Sequence, residues 1–590
     1  MSETDTCPVA YEGLSALVSY PVGRVRCETG VLLCRPWGRD EVCCRKFYRT
    51  LADVLAASGY PTLRFDYSGT VDSLDPDADE GLEDWVRGAE KSADVLKDIS
   101  GCERIVVFGL GLGAVVSHEL AGRRHDLSGA IIAAPIVNGR RYIREINLLA
   151  KMLYETEHIP LNLLDTRKTS VLGNVMPGKV AEDVSRKKLD DPATLTQIPL
   201  LFFSRGKNKS DCSYAKDLKA RSRHVTVKEF HEFEDLTAEV LTSKVPFDLI
   251  ESCLGWMRET QPARKSFPAP VNADKYPPVL TADNFTETAA FVETRKKKLL
   301  TVTTRPVSCS PDAPVFIFGN TGGYDHHGGL ARDSVTAARA LAEAGAISIR
   351  FDGSNTGDSY PDLPAGEETL YSETSIQDFK NIVDFAAARF EGPITLVGRC
   401  SSAYSAFHLA ARDQRVRQLI LVNQLKYIWD PKVPVNLKYM GHRSTEEYKK
   451  RLLDPQIFKR LFKGQINIRA ASLGIARLLK QRTAEKITPF FPRMTSLGRM
   501  RLEALDMFET LRDRNIPVHI FCTLGDESIN LLKVHFGPKF EAFSQFRNIS
   551  YSTIGDSDHC LMPDHARHAL TDLLLKAAHS LQSTATRSQS

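Results

Sequence analysis

Residues Ile394–Ala410, ITLVGRCSSAYSAFHLA, decide the fold of this chain. An apolar strand pattern runs into GRCSS at residues 398–402, and a helical pattern follows at once. This is the layout of a nucleophile elbow with cysteine at its apex. The residues two before and two after the apex must be small, because the sharp turn brings strand and helix close together. The stretch therefore predicts a strand, a strained turn and a helix, with Cys400 as the candidate nucleophile.

An earlier segment of the chain repeats this pattern. Ile105–Ala121, IVVFGLGLGAVVSHELA, has the same organisation, with Gly111 at the apex. A second pair of similar segments is Tyr60–Ser73 (YPTLRFDYSGTVDS) and Ala346–Ser359 (AISIRFDGSNTGDS). The elbows are offset by 289 residues and the RFD segments by 286. Two independent landmarks at nearly one offset indicate an internal duplication.

Length and composition agree with two domains in one chain. At 590 residues the chain suits two domains of about 250–300 residues. The hydrophobic content of 42% and charged content of 25% are typical of globular proteins, and a net charge of +4 favours no class of partner. The sequence has no apolar run of membrane-spanning length, and its start lacks the features of a signal peptide. Twelve scattered cysteines predict free thiols in a cytoplasmic protein, without a metal site.

Apolar strands that alternate with helices predict an α/β fold, with mostly parallel sheets covered by helices on both faces. The predicted organisation is two tandem domains, each with a helical cap insertion. The expected segments are a degenerate domain at 1–262 (cap about 138–196), a linker at 263–285, a catalytic domain at 286–582 (cap about 426–515) and a disordered tail at 583–590.

Four motifs carry a family resemblance. They are PWGRDE at Pro36–Glu41, LRFDYSGTVDS at Leu63–Ser73, NTGGYDHHGG at Asn320–Gly329 and GRCSSAY at Gly398–Tyr404. With them the whole chain resembles tandem α/β-hydrolases, and more narrowly a bacterial group linked to exopolysaccharide or exosortase-type gene neighbourhoods. The resemblance implies a fold and a reaction class, but no particular substrate.

The catalytic residues of this fold follow the chain order nucleophile, acid, histidine. After Cys400, a strand ends just before Asp526, and a later strand is followed by a loop that holds His559. Cys400 would be the nucleophile, His559 the base and then the acid, and Asp526 the group that orients the imidazole. A thiolate–imidazolium ion pair at rest is the expected state. The oxyanion hole would use the backbone N–H of Ser401 and one from Asn320–Thr321.

Several residues have competing interpretations. A cysteine that follows an apolar strand is often only a small buried residue. Ser401 and Ser402 are rival nucleophiles, although a nucleophile at Ser401 would put an arginine where a small residue is needed. Glu527 competes with Asp526, while His565 and His568 favour a solvated helix face.

The substrate site has three further candidates, Arg399, His326 and His327, of which the two histidines could equally cap a turn. No cofactor is predicted. GLGLGA at Gly109–Ala114 also fits a dinucleotide fingerprint, but it does not follow the first strand of its domain and it aligns with the Cys400 elbow.

The first half has lost the corresponding chemistry. Its elbow has Gly111 at the apex, and Arg205–Lys207 stands where the acid is expected, with Asp211 a few residues late. In the last loop Glu234 aligns with His559, and His231 comes three residues early. The sequence therefore predicts a pseudo-hydrolase domain that binds a ligand or supports the second half.

The cap predicted in the second half is strongly basic, with EEYKKRLLDPQIFKRLFKGQ as its main amphipathic stretch. This leaves open a solvated helix face, an anionic group on a small-molecule or carrier-bound acyl substrate, or contact with a membrane surface. No nucleic-acid motif is present, and the oligomeric state stays open.

Three functions follow from these patterns. The first is a cysteine-dependent acyl hydrolase or acyltransferase acting on an ester or thioester. The second is a non-catalytic binding or assembly protein with two lapsed domains, and the third is a redox sensor that uses the thiol.

Overall fold

The computed structural model describes residues 4–22, 27–189, 195–262, 272–294, 297–319, 325–360, 369–430 and 495–589. Within them, each half of the chain folds around one large, mostly parallel β-sheet. The α/β fold predicted from alternating strands and helices is confirmed.

The first half contributes strands β1 (Thr4–Tyr11), β2 (Leu14–Pro21), β3 (Thr29–Cys34), β4 (Thr62–Phe65), β5 (Arg104–Leu110), β6 (Leu127–Ala133), β7 (Ser170–Val171), β8 (Asn174–Val175), β9 (Leu200–Ser204) and β10 (Val225–Glu229). Its sheet has the order β1-β2-β4-β3-β5-β6-β9-β10, and β7 with β8 forms a separate hairpin. The first three strands of this order pair antiparallel and the rest pair parallel.

The helices of the first half are α1 (Arg39–Ala57), α2 (Leu82–Ser100), α3 (Leu112–Ala121), α4 (Gly139–Thr156), α5 (Gly178–Arg186), α6 (Lys209–Arg221), α7 (Phe233–Thr237) and α8 (Phe247–Thr260). Helices α4 and α5 and the β7–β8 hairpin lie between β6 and β9, the place of the cap predicted at about 138–196.

The second half contributes strands β11 (Val279–Thr281), β12 (Phe285–Glu293), β13 (Lys298–Pro306), β14 (Val315–Phe318), β15 (Ile347–Phe351), β16 (Ile394–Arg399), β17 (Val416–Val422), β18 (Val518–Thr523) and β19 (Ile549–Ile554). Their order is β11-β12-β13-β15-β14-β16-β17-β18-β19. Without β11, this order repeats that of the first sheet strand for strand, which agrees with the duplication.

The described helices of the second half are α9 (Asp333–Glu343), α10 (Glu373–Ala387), α11 (Ser401–Arg412), α12 (Ser496–Asp513), α13 (Glu527–Phe536) and α14 (Asp564–Gln589). Most of the cap predicted at about 426–515, including its basic stretch, lies outside the described residues. No described helix is long and apolar enough to cross a lipid bilayer.

The central strands of both sheets are almost completely buried. Every residue of β3, β4, β14, β15 and β16 is buried, and most are apolar, with one arginine in each of β4, β15 and β16 and a few threonine or serine residues. This pattern is expected when helices cover both faces of a parallel sheet. The elbows follow the central strands β5 and β16, so each lies at the carboxyl edge of its sheet.

Two segment predictions differ from the structure. The linker predicted at 263–285 already contains β11, which pairs with β12, because Val279–Thr281 extends the hairpin that opens the second sheet. The tail predicted to be disordered at 583–590 instead continues α14 as far as Gln589. A helix that is already nucleated and packed upstream can propagate into a polar segment of this kind.

The two RFD segments meet at the interface between the halves and exchange ion pairs. Arg64 of the first half lies 3.0 Å from Asp358 of the second, and Arg350 of the second lies 2.6 Å from Asp72 of the first. These residues correspond to each other at the offset of 286, so the interface has an approximate twofold relation. All four side chains are buried.

A second bridging cation completes each side of this exchange. Arg45 pairs with Asp66 of its own half at 2.9 Å and with Asp358 at 2.9 Å. On the other side, His327 lies 2.6 Å from Asp72 and 3.2 Å from Asp352 of its own half. Isolated buried charges are costly, so each half depends on the other to neutralise its buried charges at this interface.

Candidate active site

Cys400 lies at the apex of a strained turn between β16 and α11. Its backbone has φ 55° and ψ −115°, a left-handed conformation that is unusual for a residue with a Cβ. The preceding Gly398 is required by space, because a Cβ there would lie 2.5 Å from the Cα of Ala403. The local geometry is that of the predicted elbow, with the half-buried thiol of Cys400 at its tip.

Asp526 and His559 come together on the loops that follow β18 and β19. The Nδ1 of His559 lies 2.8 Å from Oδ2 of Asp526, and both side chains are buried. The other carboxylate oxygen, Oδ1, accepts a hydrogen bond of 2.9 Å from the backbone N–H of Ser528 and caps α13. This second contact fixes the carboxylate in the orientation that holds the imidazole.

The charges of this group are coupled. Burial alone would lower the pKa of His559, but the charge of Cys400 and the hydrogen bonds with Asp526 and Cys400 raise the pKa to about 10. Burial acts to raise the pKa of Asp526, and the contacts with His559 and Ser528 outweigh it and lower the pKa. The arrangement therefore favours the charged imidazolium form of His559, between the carboxylate of Asp526 and the side chain of Cys400.

Residues that the sequence analysis did not single out hold the histidine loop in place. The side-chain amide of Asn423 donates to the carbonyl of His559 at 2.7 Å, and its oxygen accepts from the N–H of Thr523 at 2.8 Å. Asn423 follows β17 directly and has φ 46°. A polar residue immediately after a buried strand was the available signal. Asp558 completes the loop by accepting from the N–H groups of Cys560 and Met562.

Arg399, predicted to contact substrate, is buried and occupied by protein partners. Its guanidinium pairs with Asp333, the first residue of α9, and donates to the carbonyl of Cys560 at 3.1 Å. Arg399, which precedes Cys400, is thereby joined to Cys560, which follows His559. Direct contact with a substrate stays a prediction.

The predicted oxyanion hole is described only in part. Ser401 is buried in the first turn of α11, where backbone N–H groups point out of the helix end. Asn320 and Thr321 lie outside the described residues. His326 and His327 are buried against the first half, where His326 lies 3.2 Å from Glu41 and His327 pairs with Asp72.

The rival residues have other partners. The hydroxyl of Ser402 makes hydrogen bonds of 2.9 Å with the backbone N–H and carbonyl of Arg399, so it braces the turn. Glu527 accepts a hydrogen bond from Asn530, and His565 contacts the carbonyl of Gly555 at 3.0 Å. His568 lines a cavity of about 280 Å³ between the two halves. A smaller cavity of about 50 Å³ borders the elbow at Ser401 and Ser402.

The first half keeps the shape of the elbow without its side chain. Gly111 has φ 58° and ψ −116°, within a few degrees of the backbone of Cys400. Where Asp526 caps α13, the corresponding cap of α6 is Asn208, whose side-chain oxygen accepts from the N–H groups of Ser210 and Asp211.

The other candidate residues of the first half either pair with each other or are exposed. Arg205 binds Asp211 at 2.7 Å and donates to the carbonyl of Pro135. Glu234 and His231 are exposed.

Comparison with known proteins gives a family match within the first half of the chain. Residues 39–244 match the family model described as "Serine aminopeptidase, S33". No curated protein matches the chain. The sheet order and the family match support an α/β-hydrolase fold in the first half, and the second sheet repeats that order.

Solved structures with similarity to half of this chain include three hydrolase-fold proteins. Est1E from Butyrivibrio proteoclasticus with bound ferulic acid is 15% identical and covers 50% of this chain and 100% of its own, with a TM-score of 0.31. The proline iminopeptidase of Mycobacterium smegmatis is 14% identical over 50% of this chain and 99% of its own, with a TM-score of 0.30. An alpha-beta serine hydrolase homologue from Coxiella burnetii is 15% identical over 50% of this chain and 98% of its own, with a TM-score of 0.27.

Proposed function

We propose that the second half is a cysteine-dependent acyl hydrolase or acyltransferase that acts on an ester or thioester. The observation that carries this proposal is the buried Asp526–His559 pair, 2.8 Å apart, whose imidazole also interacts with Cys400 at the apex of the elbow. A cysteine that only fills space needs neither a strained backbone nor a buried ionic partner.

The reaction would proceed in two steps. The thiolate of Cys400 attacks the acyl carbonyl, and the N–H of Ser401 with one from Asn320–Thr321 stabilises the resulting oxyanion. His559 gives its proton to the departing alcohol or thiol, which leaves a thioester on Cys400. His559 then takes a proton from water, an amine or another acceptor, and this group attacks the thioester and releases the thiolate. Asp526 orients the imidazole and stabilises its charged form.

The choice of cysteine bears on what accepts the acyl group. Amines and thiols attack a thioester more readily, relative to water, than they attack an oxoester. Transfer to an acceptor is therefore part of the proposal beside hydrolysis. A small-molecule or carrier-bound acyl substrate in the cytoplasm fits this chemistry, and a role in exopolysaccharide loci rests on the sequence resemblance.

The first half would be a pseudo-hydrolase in this scheme. Gly111 offers no nucleophile, Asn208 replaces the carboxylate at the helix cap, and both Glu234 and His231 are exposed. Its part would be to support the second half.

The test is the rate of iodoacetamide labelling at Cys400 as a function of pH, measured by peptide mass spectrometry. In the wild type we expect fast labelling that persists well below the pH at which ordinary thiols react, and in His559→Ala a slow reaction. Cys212, a half-exposed thiol of the first half, is the internal reference. Slow labelling of Cys400 that is unchanged in His559→Ala would contradict the proposal and favour a binding protein.

A second measurement separates acyl chemistry from redox sensing. Incubation with p-nitrophenyl esters and acyl thioesters should add the acyl mass to the wild type and not to Cys400→Ala. A thiol that reacts with peroxide but with no acyl donor would instead indicate a redox sensor.

A further inference from the structure

The side chain of Arg332, in the second half, binds a loop of the first half. The next residue, Asp333, pairs with Arg399 beside the elbow. Arg332 donates to three backbone carbonyls of the first half, those of Gly69 at 2.8 Å, Val71 at 2.9 Å and Ser73 at 3.0 Å. It also pairs with Asp75 at 2.7 Å. All four acceptors lie at the end of the first RFD segment or just beyond it, at residues 69–75, so every nitrogen of the guanidinium binds one loop of the other half.

The backbone at this position is strained. Ala331 has φ 57° and Arg332 has φ 59°, two consecutive residues in the left-handed region without a glycine. Such a conformation persists only where the surrounding structure holds it. Arg332 immediately precedes α9, so its backbone angles set the direction in which Asp333, the first residue of the helix, presents its carboxylate.

From Asp333 the contacts lead to both catalytic loops. The carboxylate pairs with Arg399, the residue before Cys400, and both side chains are buried. The same guanidinium donates to the carbonyl of Cys560, the residue after His559. A shift of Asp333 would therefore loosen the nucleophile and the base together.

From these contacts we infer that Arg332 is a positioning residue, through which the first half holds the elbow and the histidine loop in register by way of Asp333 and Arg399. This inference rests on the proposed function, since it assigns the first half a role in that reaction. The inference also explains why the first half, which has glycine at the nucleophile position, stays bound to the second.

The test compares Arg332→Gln with Tyr360→Phe. Arg332→Gln removes the fork that binds the three carbonyls. Tyr360→Phe removes another hydrogen bond across the same interface, to Asp53 at 2.8 Å, that has no part in this chain of contacts. Hydrogen exchange of peptides covering residues 395–405 and 555–563 reports the order of the two loops, and Cys400 labelling reports their chemistry.

For Arg332→Gln we expect at least tenfold faster exchange in both peptides and at least tenfold slower labelling of Cys400 near neutral pH. With an acyl donor, kcat should fall by at least tenfold while KM stays within about twofold. Tyr360→Phe should leave all of these values unchanged. Arg332→Lys, a milder change, should move them in the same direction by a smaller factor, and it replaces Arg332→Gln if that variant does not fold.

Wild-type exchange and labelling in a folded Arg332→Gln or Arg332→Lys would overturn the inference, and so would equal effects of Tyr360→Phe. Failure of the proposed function has a different signature, because it would already be visible as slow labelling of Cys400 in the wild type.

Discussion

Replacing Asp358 by asparagine tests whether the exchanged ion pairs hold the two halves together. The substitution keeps the size of the side chain and removes its charge. Asp358 is completely buried, and its two oxygens lie 3.0 Å from Arg64 and 2.9 Å from Arg45. Both arginines come from the other half of the chain and are themselves buried.

The expected loss of stability follows from this burial. Removing one partner of a buried ion pair costs about 3–5 kcal/mol, because the remaining charge stays buried without compensation. Asp66 and Glu41 still neutralise Arg45, whereas Arg64 loses its one carboxylate partner among the described residues and keeps only uncharged acceptors, such as Ser19 at 3.0 Å. We therefore place Asp358→Asn at the lower end, about 3 kcal/mol, with most of the loss arising at Arg64.

The assay is urea unfolding at neutral pH, followed by circular dichroism. Glu145→Gln is the control, since Glu145 and Arg141 are 2.7 Å apart but largely exposed, and no resolvable change is expected there. The double variant Asp358→Asn/Arg64→Met should recover at least about 1 kcal/mol of the loss, because it removes both charges. If Asp358→Asn changes the free energy of unfolding as little as Glu145→Gln does, the interface does not depend on the exchanged ion pairs.

Three further predictions concern acid stability, the elbow and the lapsed site. The pKa values of Asp72, Asp352 and Asp358 are lowered by neighbouring cations, against the effect of burial. Their stabilising contribution is complete above about pH 4 and is lost as the pH falls toward their lower folded-state pKa values, so the urea midpoint should drop between pH 7 and pH 3. The drop should be smaller in Asp358→Asn, and an equal drop would refute this account. Gly398→Ala should destabilise the protein by about 1–3 kcal/mol, because the added Cβ would collide with backbone atoms. Gly255→Ala on α8 has open space around the added Cβ and should stabilise the protein by about 0.5–1 kcal/mol. A thermal melt that ranks the two variants otherwise would count against the packing argument. Gly111→Cys should add a thiol that labels no faster than Cys212, because Glu234 aligns with His559 and the nearby His231 is exposed, and fast labelling would show that the first half keeps a base.

The elbow and the Asp526–His559 contact could be predicted because these residues follow strands of one parallel sheet, although β19 before His559 is only partly covered, and the catalytic role of Cys400, Asp526 and His559 stays a prediction. In a parallel sheet the carboxyl ends of neighbouring strands lie at one edge. Cys400, Asp526 and His559 therefore converge there, whatever the structure of the helical insertions. The preference for Asp526 over Glu527 also has a local cause, since the first is the helix cap and the second is already inside the helix.

The interface could not be predicted, because the partners of a charge depend on how the two halves dock. The RFD segments were predicted only to mark a duplication, yet Arg64 and Arg350 each pair with an aspartate of the other half, in addition to contacts within their own half. The available signal was an arginine inside an otherwise apolar strand, which demands a buried counter-charge from somewhere. Asn208 was not predicted as the counterpart of Asp526, because the two correspond by capping equivalent helices and not by sequence similarity.

The exchanged arginines and aspartates also have an evolutionary consequence. After the duplication, catalytic positions of one copy could drift freely, as the glycine at position 111 suggests, while Arg64 and Asp72 could not change without harming the other copy. Deletion of either copy would expose unpaired charges on the survivor, so a first copy that is a pseudo-hydrolase, as proposed, would still be retained by selection on its neighbour. Among homologous genes we expect the RFD loops of the first copy to diverge more slowly than its elbow.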